Sequence, residues 1–365
     1  MASKWLALEQ HGQSIWYDNV ARPALESGLL ERLMAEDGVS GGTSNPSIFA
    51  AAVTGSDLYD DDIRDAGSDE SVQQVFERCA IADIQRACDL MRPVWERTNG
   101  DDGYISLEVE ADLAFEEDAT VQRAHRLRAL VDRPNVMIKV PGTAEGVDAF
   151  RRLTREGVSV NVTLLFSTER YRKIADAYVD AIEGRVDAGE PVGDIASVAS
   201  FFVSRIDTKV DKLLPEDSPL RGRAAVDNAK LAYVDVFEQV FQGPRWERLA
   251  AAGARVQRPL WASTSTKNPA YPPTLYVDTL IAEHTVNTVP DATLEAYRTH
   301  GEPRPDTIYD GVDEARRTMA GLAEAGVDFA QVTRELEDEG VKAFADAYDG
   351  MLKAIQEKRE AIGVS

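Results

Sequence analysis

A lysine inside an apolar run is the residue of this chain best suited to covalent chemistry. Lys139 stands in Val136-Met137-Ile138-Lys139-Val140-Pro141, where an outward-facing lysine would usually meet a covering helix. Two readings stand on spacing alone. The side chain can lie at a strand end, with its stem on apolar surface and its ammonium in solvent. It can instead face inward in a partly dry cavity, where burial favours the neutral amine that attacks a carbonyl and forms an imine. Its company points to the second reading. Asp18, Asn45, Glu108, Asn161 and Thr163 also fall within or just after β-like runs. They supply the proton-transfer and hydroxyl-binding groups that imine chemistry on a sugar requires.

Those side chains need a scaffold that brings distant segments together. The β-like runs are SIWYD (14–18), GVSGGTS (38–44), YISLEVE (104–110), VMIKVP (136–141), SVNVTLLF (159–166), ASVASFFV (196–203), RPLWAST (258–264) and HTVNTVP (284–290). Helix-like stretches such as ATVQRAHRLRALVD and STERYRKIADAYVDAIEGRV separate them. Alternating strands and helices imply a parallel sheet, and eight such units suit a closed (β/α)8 barrel better than an open sheet. Extra helices are expected over 48–98, over 205–255 and from Asp310 onward. No repeat or linker divides the chain, so one decorated barrel spanning 1–365 is expected.

Barrel enzymes work at the C-terminal ends of their strands. Asp18 ends the first expected strand, and Thr43-Ser44-Asn45-Pro46 follows the second. Glu108 lies on the third, Lys139 on the fourth, Asn161 and Thr163 on the fifth, and Ser200 on the sixth with Arg205 just beyond. Ser263 ends the seventh, with Ser265 and Lys267 after it. Asn161 and Thr163 are two apart and so share a face.

Composition narrows the function classes. The 365 residues carry 40 Lys+Arg against 63 Asp+Glu, a formal net charge of −23. That balance argues against a nucleic-acid binder, which needs a basic face. Cys79 and Cys88 fall in one helical stretch at a spacing that suits neither a metal site nor a disulfide, and the four histidines are scattered, so no metal site is expected. The opening residues lack an apolar signal core, and no run approaches ~18 apolar residues. A soluble cytoplasmic protein is the expectation.

The segments SIWYDNV, GGTSNPSIF, SLEVEADLA, MIKVPGTAEG, VNVTLLFS and WASTSTKNP occur in that order and span about 10–350. Together they resemble the transaldolase family in its longer bacterial form. The resemblance implies a (β/α)8 barrel and a Schiff-base mechanism with no metal or organic cofactor. It implies transfer of a dihydroxyacetone unit from sedoheptulose 7-phosphate to glyceraldehyde 3-phosphate, giving erythrose 4-phosphate and fructose 6-phosphate. Carried over residue by residue, Lys139 matches the imine-forming lysine and Asp18 the acid/base at the C4 hydroxyl. Glu108 and Thr163 match the pair that positions a water. Asn45, Asn161 and Ser200 match groups that bind the dihydroxyacetone unit, with Thr43 beside them, and Arg205 matches a phosphate-binding arginine. Shorter members place a serine and an arginine close together after strand seven. Here Ser263 and, two residues later than expected, Lys267 take those places, so Lys267 is expected to be the second phosphate cation, a point charge in place of a planar fork.

Other acids and histidines take plainer readings. Glu110 can be a second active-site carboxylate, although a structural acid is the better expectation. The acidic stretch DLYDDDIRD (57–65) lacks the central glycine and closing glutamate of a calcium loop and reads as a helix start. His125 reads as a helix-surface residue. A fructose-6-phosphate aldolase, which would release free dihydroxyacetone, and a catalytically silent sugar-phosphate-binding barrel are the competing functions. A monomer or homodimer is expected in each case.

Overall fold

Eight short runs rich in β-branched and small residues form eight parallel strands, each hydrogen-bonded to its chain neighbours, and the eighth closes on the first. The computed structural model describes residues 3–66 and 69–364, so positions 1, 2, 67, 68 and 365 of the expected domain lie outside the described residues. The strands are β1 (Gln13–Tyr17), β2 (Val39–Thr43), β3 (Ile105–Glu108), β4 (Val136–Pro141), β5 (Val160–Leu165), β6 (Ser197–Phe202), β7 (Gln257–Ala262) and β8 (Thr285–Val289). The (β/α)8 expectation holds in both strand number and order.

Parallel strands covered by helices are buried on both faces, and every residue of β4, β5 and β6 is buried. Large aromatic side chains fill the interior, and they set demands on their neighbours. Gly41 on β2 faces the Trp16 indole, where an added Cβ would lie 2.5 Å from ring atoms. Gly41 thus leaves the space that Trp16 occupies, and Gly42 does the same for Val20, whose Cγ1 would lie 2.5 Å from an added Cβ.

The N-terminal pole of the barrel is tied by a buried carboxylate. Asp102 accepts hydrogen bonds from Trp16 Nε1 at 2.8 Å and Ser40 Oγ at 2.9 Å, and from Ser14 Oγ, with Arg258 3.5 Å away.

Two strands end two residues short of the expected runs, and the others end within one residue of theirs. β3 stops at Glu108, because Glu110 turns aside to pair with Arg123 on helix Glu117–Val131, with Arg123 Nε donating to it at 2.7 Å. β7 stops at Ala262, and Ser263 takes a left-handed φ of 56° that breaks the ladder.

The insertion after β2 folds as helices Pro46–Gly55, Asp60–Asp65 and Val72–Arg97, and the chain closes with Val312–Glu324 and Phe329–Ala361. The last helix has 33 residues, about 50 Å at 1.5 Å per residue. It lies along Pro46–Gly55 and builds a second apolar cluster, in which Met351 and Ile355 join Phe49, Val53, Tyr59 and Cys79. Three of the five acids of 57–65 are taken up by cations, with Asp62 on Arg22, Asp61 on Arg64 and Asp60 on Lys358. Cys79 and Cys88 are buried thiols in one helix, and burial raises the pKa of both above the usual thiol range. His125 sits on a helix surface beside Glu156.

Candidate active site

The C-terminal ends of the strands enclose a cavity of about 280 Å³. Nine of the eleven residues singled out in the sequence line it: Asp18, Thr43, Asn45, Lys139, Thr163, Ser200, Arg205, Ser263 and Lys267. Glu108 and Asn161 stand behind that wall and touch residues that form it.

Strand register explains the grouping. β3 sets Glu108 opposite Lys139, and β5 sets Asn161 opposite Lys139 and Thr163 opposite Pro141. Lys139 faces inward, and its Nζ lies 3.2 Å from Glu108 Oε2 with both side chains under 10% exposed. Burial pushes the Glu108 carboxyl upward, and the neighbouring ammonium opposes the shift. The amine thus donates directly to the acid across the buried pair.

Beneath Lys139 the polar groups are interlocked. Ser200 Oγ donates to Asn161 Oδ1 at 2.7 Å, and Asn161 Nδ2 donates to Ser106 Oγ at 3.0 Å. Two buried oxygens are left over: Glu108 Oε1 and Thr163 Oγ1 have no hydrogen-bond partner among the described residues. Buried polar atoms without partners are uncommon and mark places for water or ligand groups. The β5–β6 register shifts between Val162 and Leu165, and Leu164 has a φ of 63°. Such an irregularity re-aims side chains at a strand end, and this one lies beside Thr163.

Asp18 follows β1 directly. Burial pushes its carboxyl up to about 6, the negative charge of Asp291 adds to the shift, and Lys139 and Lys267 oppose it. Asp291 is itself fixed by Tyr17, whose hydroxyl donates to it at 2.6 Å. Asn45 has a structural duty beside any binding role. Its Oδ1 accepts from Ile48 N at 3.0 Å and caps helix Pro46–Gly55, which leaves its amide nitrogen for a ligand. Thr43 and Thr288 hydroxyls lie 3.1 Å apart across the rim.

Two cations besides Lys139 face this cavity. Arg205 opens helix Ser204–Val210, is partly buried, and forms no ion pair or hydrogen bond with any described residue. Its guanidinium carbon lies 5.0 Å from the Phe202 ring centroid, and burial lowers its pKa while Glu339 opposes. Lys267 is exposed at the rim and is likewise without an ion pair among the described residues. In a chain whose arginines are mostly paired with acids, these two unpaired cations leave charge-assisted donors available on the cavity wall.

Sequence reasoning missed Phe344. It lies on helix Phe329–Ala361, lines the cavity, and sets its ring centroid 5.2 Å from Lys139 Nζ. Thr288 and Pro290, which close the rim after β8, were also unmarked. Glu110 is structural, as expected, and joins Arg123 to the Tyr348 hydroxyl at 3.4 Å.

The sequence model of the Transaldolase/Fructose-6-phosphate aldolase family matches residues 15–355 of this chain. The chain belongs to that family. A transaldolase of Thiobacillus denitrificans is 49% identical over 350 residues, covering 94% of this chain and 97% of the relative. A transaldolase of Parafrankia sp. is 46% identical over 357 residues, with 96% of each covered. A transaldolase of Thermobifida fusca is 46% identical over 367 residues, covering 99% of this chain and all of the relative. The family's barrel is thus matched along nearly its whole length, including the last helix that carries Phe344.

Proposed function

We propose that this chain is a transaldolase of the non-oxidative pentose phosphate pathway and that Lys139 is its nucleophile. It moves a dihydroxyacetone unit from sedoheptulose 7-phosphate to glyceraldehyde 3-phosphate, releasing erythrose 4-phosphate and leaving as fructose 6-phosphate. The observation that carries this reading is the buried Lys139–Glu108 pair at 3.2 Å on the wall of an anion-receptive cavity.

The chemistry follows from the groups at hand. Glu108 takes the proton from the ammonium, and the free amine attacks the ketose carbonyl carbon to form a carbinolamine. Loss of that hydroxyl as water, with Glu108 as acid, gives the protonated imine. The unpartnered oxygens of Glu108 and Thr163 suit this departing water. Asp18 then removes the C4 hydroxyl proton, the C3–C4 bond breaks toward the iminium, and the aldose phosphate leaves. The remaining enamine attacks the acceptor aldehyde, Asp18 returns its proton, and water hydrolyses the new imine. Asn45, Asn161 and Ser200, with Thr43, hold the three-carbon unit, and Ser263 stands at the phosphate end. Arg205 and Lys267 hold the phosphate. No step calls for a metal or an organic cofactor.

The family description also names an aldolase, so release of free dihydroxyacetone is the second reading. The −23 charge argues against a nucleic-acid partner, and no described helix is long and apolar enough to cross a membrane. We read the chain as one cytoplasmic domain acting as a monomer or homodimer. Borohydride reduction with fructose 6-phosphate, followed by peptide mass mapping, tests the nucleophile. The expected adduct is on the Lys139 peptide; an adduct on the Lys267 peptide overturns the assignment. Free dihydroxyacetone measured with and without erythrose 4-phosphate separates transfer from release.

A further inference from the structure

Arg205 and Lys267 belong to different strand-end segments, so their separation depends on what joins those segments. Ser204 makes the first joint: its N–H donates to Ser263 O at 3.0 Å, and the two hydroxyls lie 2.9 Å apart. Farther out, two buried aspartates receive two tyrosines. Tyr276 donates its hydroxyl to Asp207 Oδ2 at 2.8 Å, and Tyr271 donates to Asp211 Oδ2 at 2.5 Å. The other carboxylate oxygens accept backbone N–H groups, Ala225 on Asp207 at 2.8 Å and Gly222 on Asp211 at 2.9 Å. Asp207 and Asp211 are four apart and share a face, whereas Arg205, two before Asp207, points elsewhere and reaches the cavity.

The arm from Lys267 to Tyr271 is short and stiff. Tyr271 N donates to Asn268 O at 3.1 Å, Ala270 N donates to Asn268 Oδ1 at 3.0 Å, and prolines stand at 269, 272 and 273. Gly222 has a φ of 70°, and an added Cβ there would lie 2.7 Å from the Tyr271 ring. The chain is therefore shaped to let Tyr271 reach Asp211. Burial and that carboxylate together push the Tyr271 hydroxyl up to about 12, so it remains a donor.

We infer that the Tyr271–Asp211 contact is a positioning clamp that holds Lys267 at the distance from Arg205 that a phosphate group requires. This rests on the phosphate reading of the two cations given above. Tyr271 and Asp211 act through the cations.

The test compares Tyr271→Phe, Lys267→Ala and the double variant on fructose 6-phosphate and on unphosphorylated fructose, with inorganic phosphate as competitive inhibitor. Tyr271→Phe is expected to raise KM for fructose 6-phosphate and Ki for phosphate by about tenfold, the scale of one charge-assisted hydrogen bond. The kcat and the kinetics on fructose should hold, and the double variant should bind phosphate no more weakly than Lys267→Ala alone. If Lys267→Ala weakens phosphate inhibition but Tyr271→Phe does not, the clamp is overturned and the phosphate reading survives. If Lys267→Ala leaves phosphate inhibition unchanged, the phosphate reading of Lys267 fails first, and the clamp falls with it. Equal loss on both sugars in Tyr271→Phe assigns Tyr271 to general support of the barrel rim, which also overturns the clamp.

Discussion

Among single residues, Asp18 ties activity to stability with opposite signs. Its carboxyl is pushed up to about 6 in the folded chain from the ordinary aspartate value of 3.8, so folding favours its protonated form. The ionised group therefore costs stability above pH 6, up to about 3 kcal/mol, and that cost vanishes below the unfolded value. In the proposed mechanism the ionised form is also the base for carbon–carbon cleavage. The expected kcat/KM profile rises with an apparent pKa near 6. Asp18→Asn should lose cleavage yet still trap imine, and it should melt higher than the parent at pH 7.5, with the gain fading toward pH 4. A lower melting temperature at pH 7.5 would count against this account. Glu108→Gln has a different expected defect. Imine formation and hydrolysis should slow by roughly 10²–10⁴-fold, seen as slow borohydride trapping in a single turnover. Equal trapping rates in Asp18→Asn and Glu108→Gln would show that the two roles are not separate. Lys139 was readable in the sequence because a charge within an apolar strand stands out. The influence of Asp291 on Asp18 was not, because the two meet only where β8 closes the barrel against β1.

Strands were readable as elements because their period and branching survive in the sequence, whereas their ends depend on partners. Glu110 looked like part of β3 until Arg123, on another element, turned it aside. The last helix shows the same limit more strongly. Its apolar positions recur at helical spacing, and Phe344 there looks like any core aromatic. Only the docking of that helix on the barrel and on Pro46–Gly55 brings the ring to Lys139. An aromatic face stabilises a nearby cation, and the protonated imine keeps its positive charge at that nitrogen. Phe344→Leu should therefore lower kcat/KM by about tenfold, the equivalent of ~1.4 kcal/mol, while Phe344→Tyr or Phe344→Trp retains activity. The check is whether the imine fraction at saturating donor follows the aromatic series; a leucine variant as active as the parent removes the ring from the mechanism.

For the molecule as a whole, chemistry and cohesion sit at opposite poles of the barrel. The C-terminal pole gathers Lys139, Asp18, Arg205 and Lys267 around the cavity, whereas the N-terminal pole gathers Trp16, Ser40, Ser14 and Arg258 around Asp102. Asp102→Ala should destabilise by about 2–4 kcal/mol through the donors it strands. Urea midpoints read that loss, and kcat at 25 °C should remain near the parent value. A large fall in kcat with unchanged stability would mean that the two poles are coupled. Length, alternation and acidity disclosed the barrel and its distance from nucleic-acid binding. The clamp was not visible there, since a tyrosine in a proline-rich loop carries no mark of the carboxylate it will meet.

Phe344 follows all eight strands in the chain. During synthesis every group from Asp18 to Lys267 leaves the ribosome before the wall that faces the nucleophile does. A nascent barrel can thus close its eight strands before the aromatic ring that faces Lys139 has joined the cavity wall.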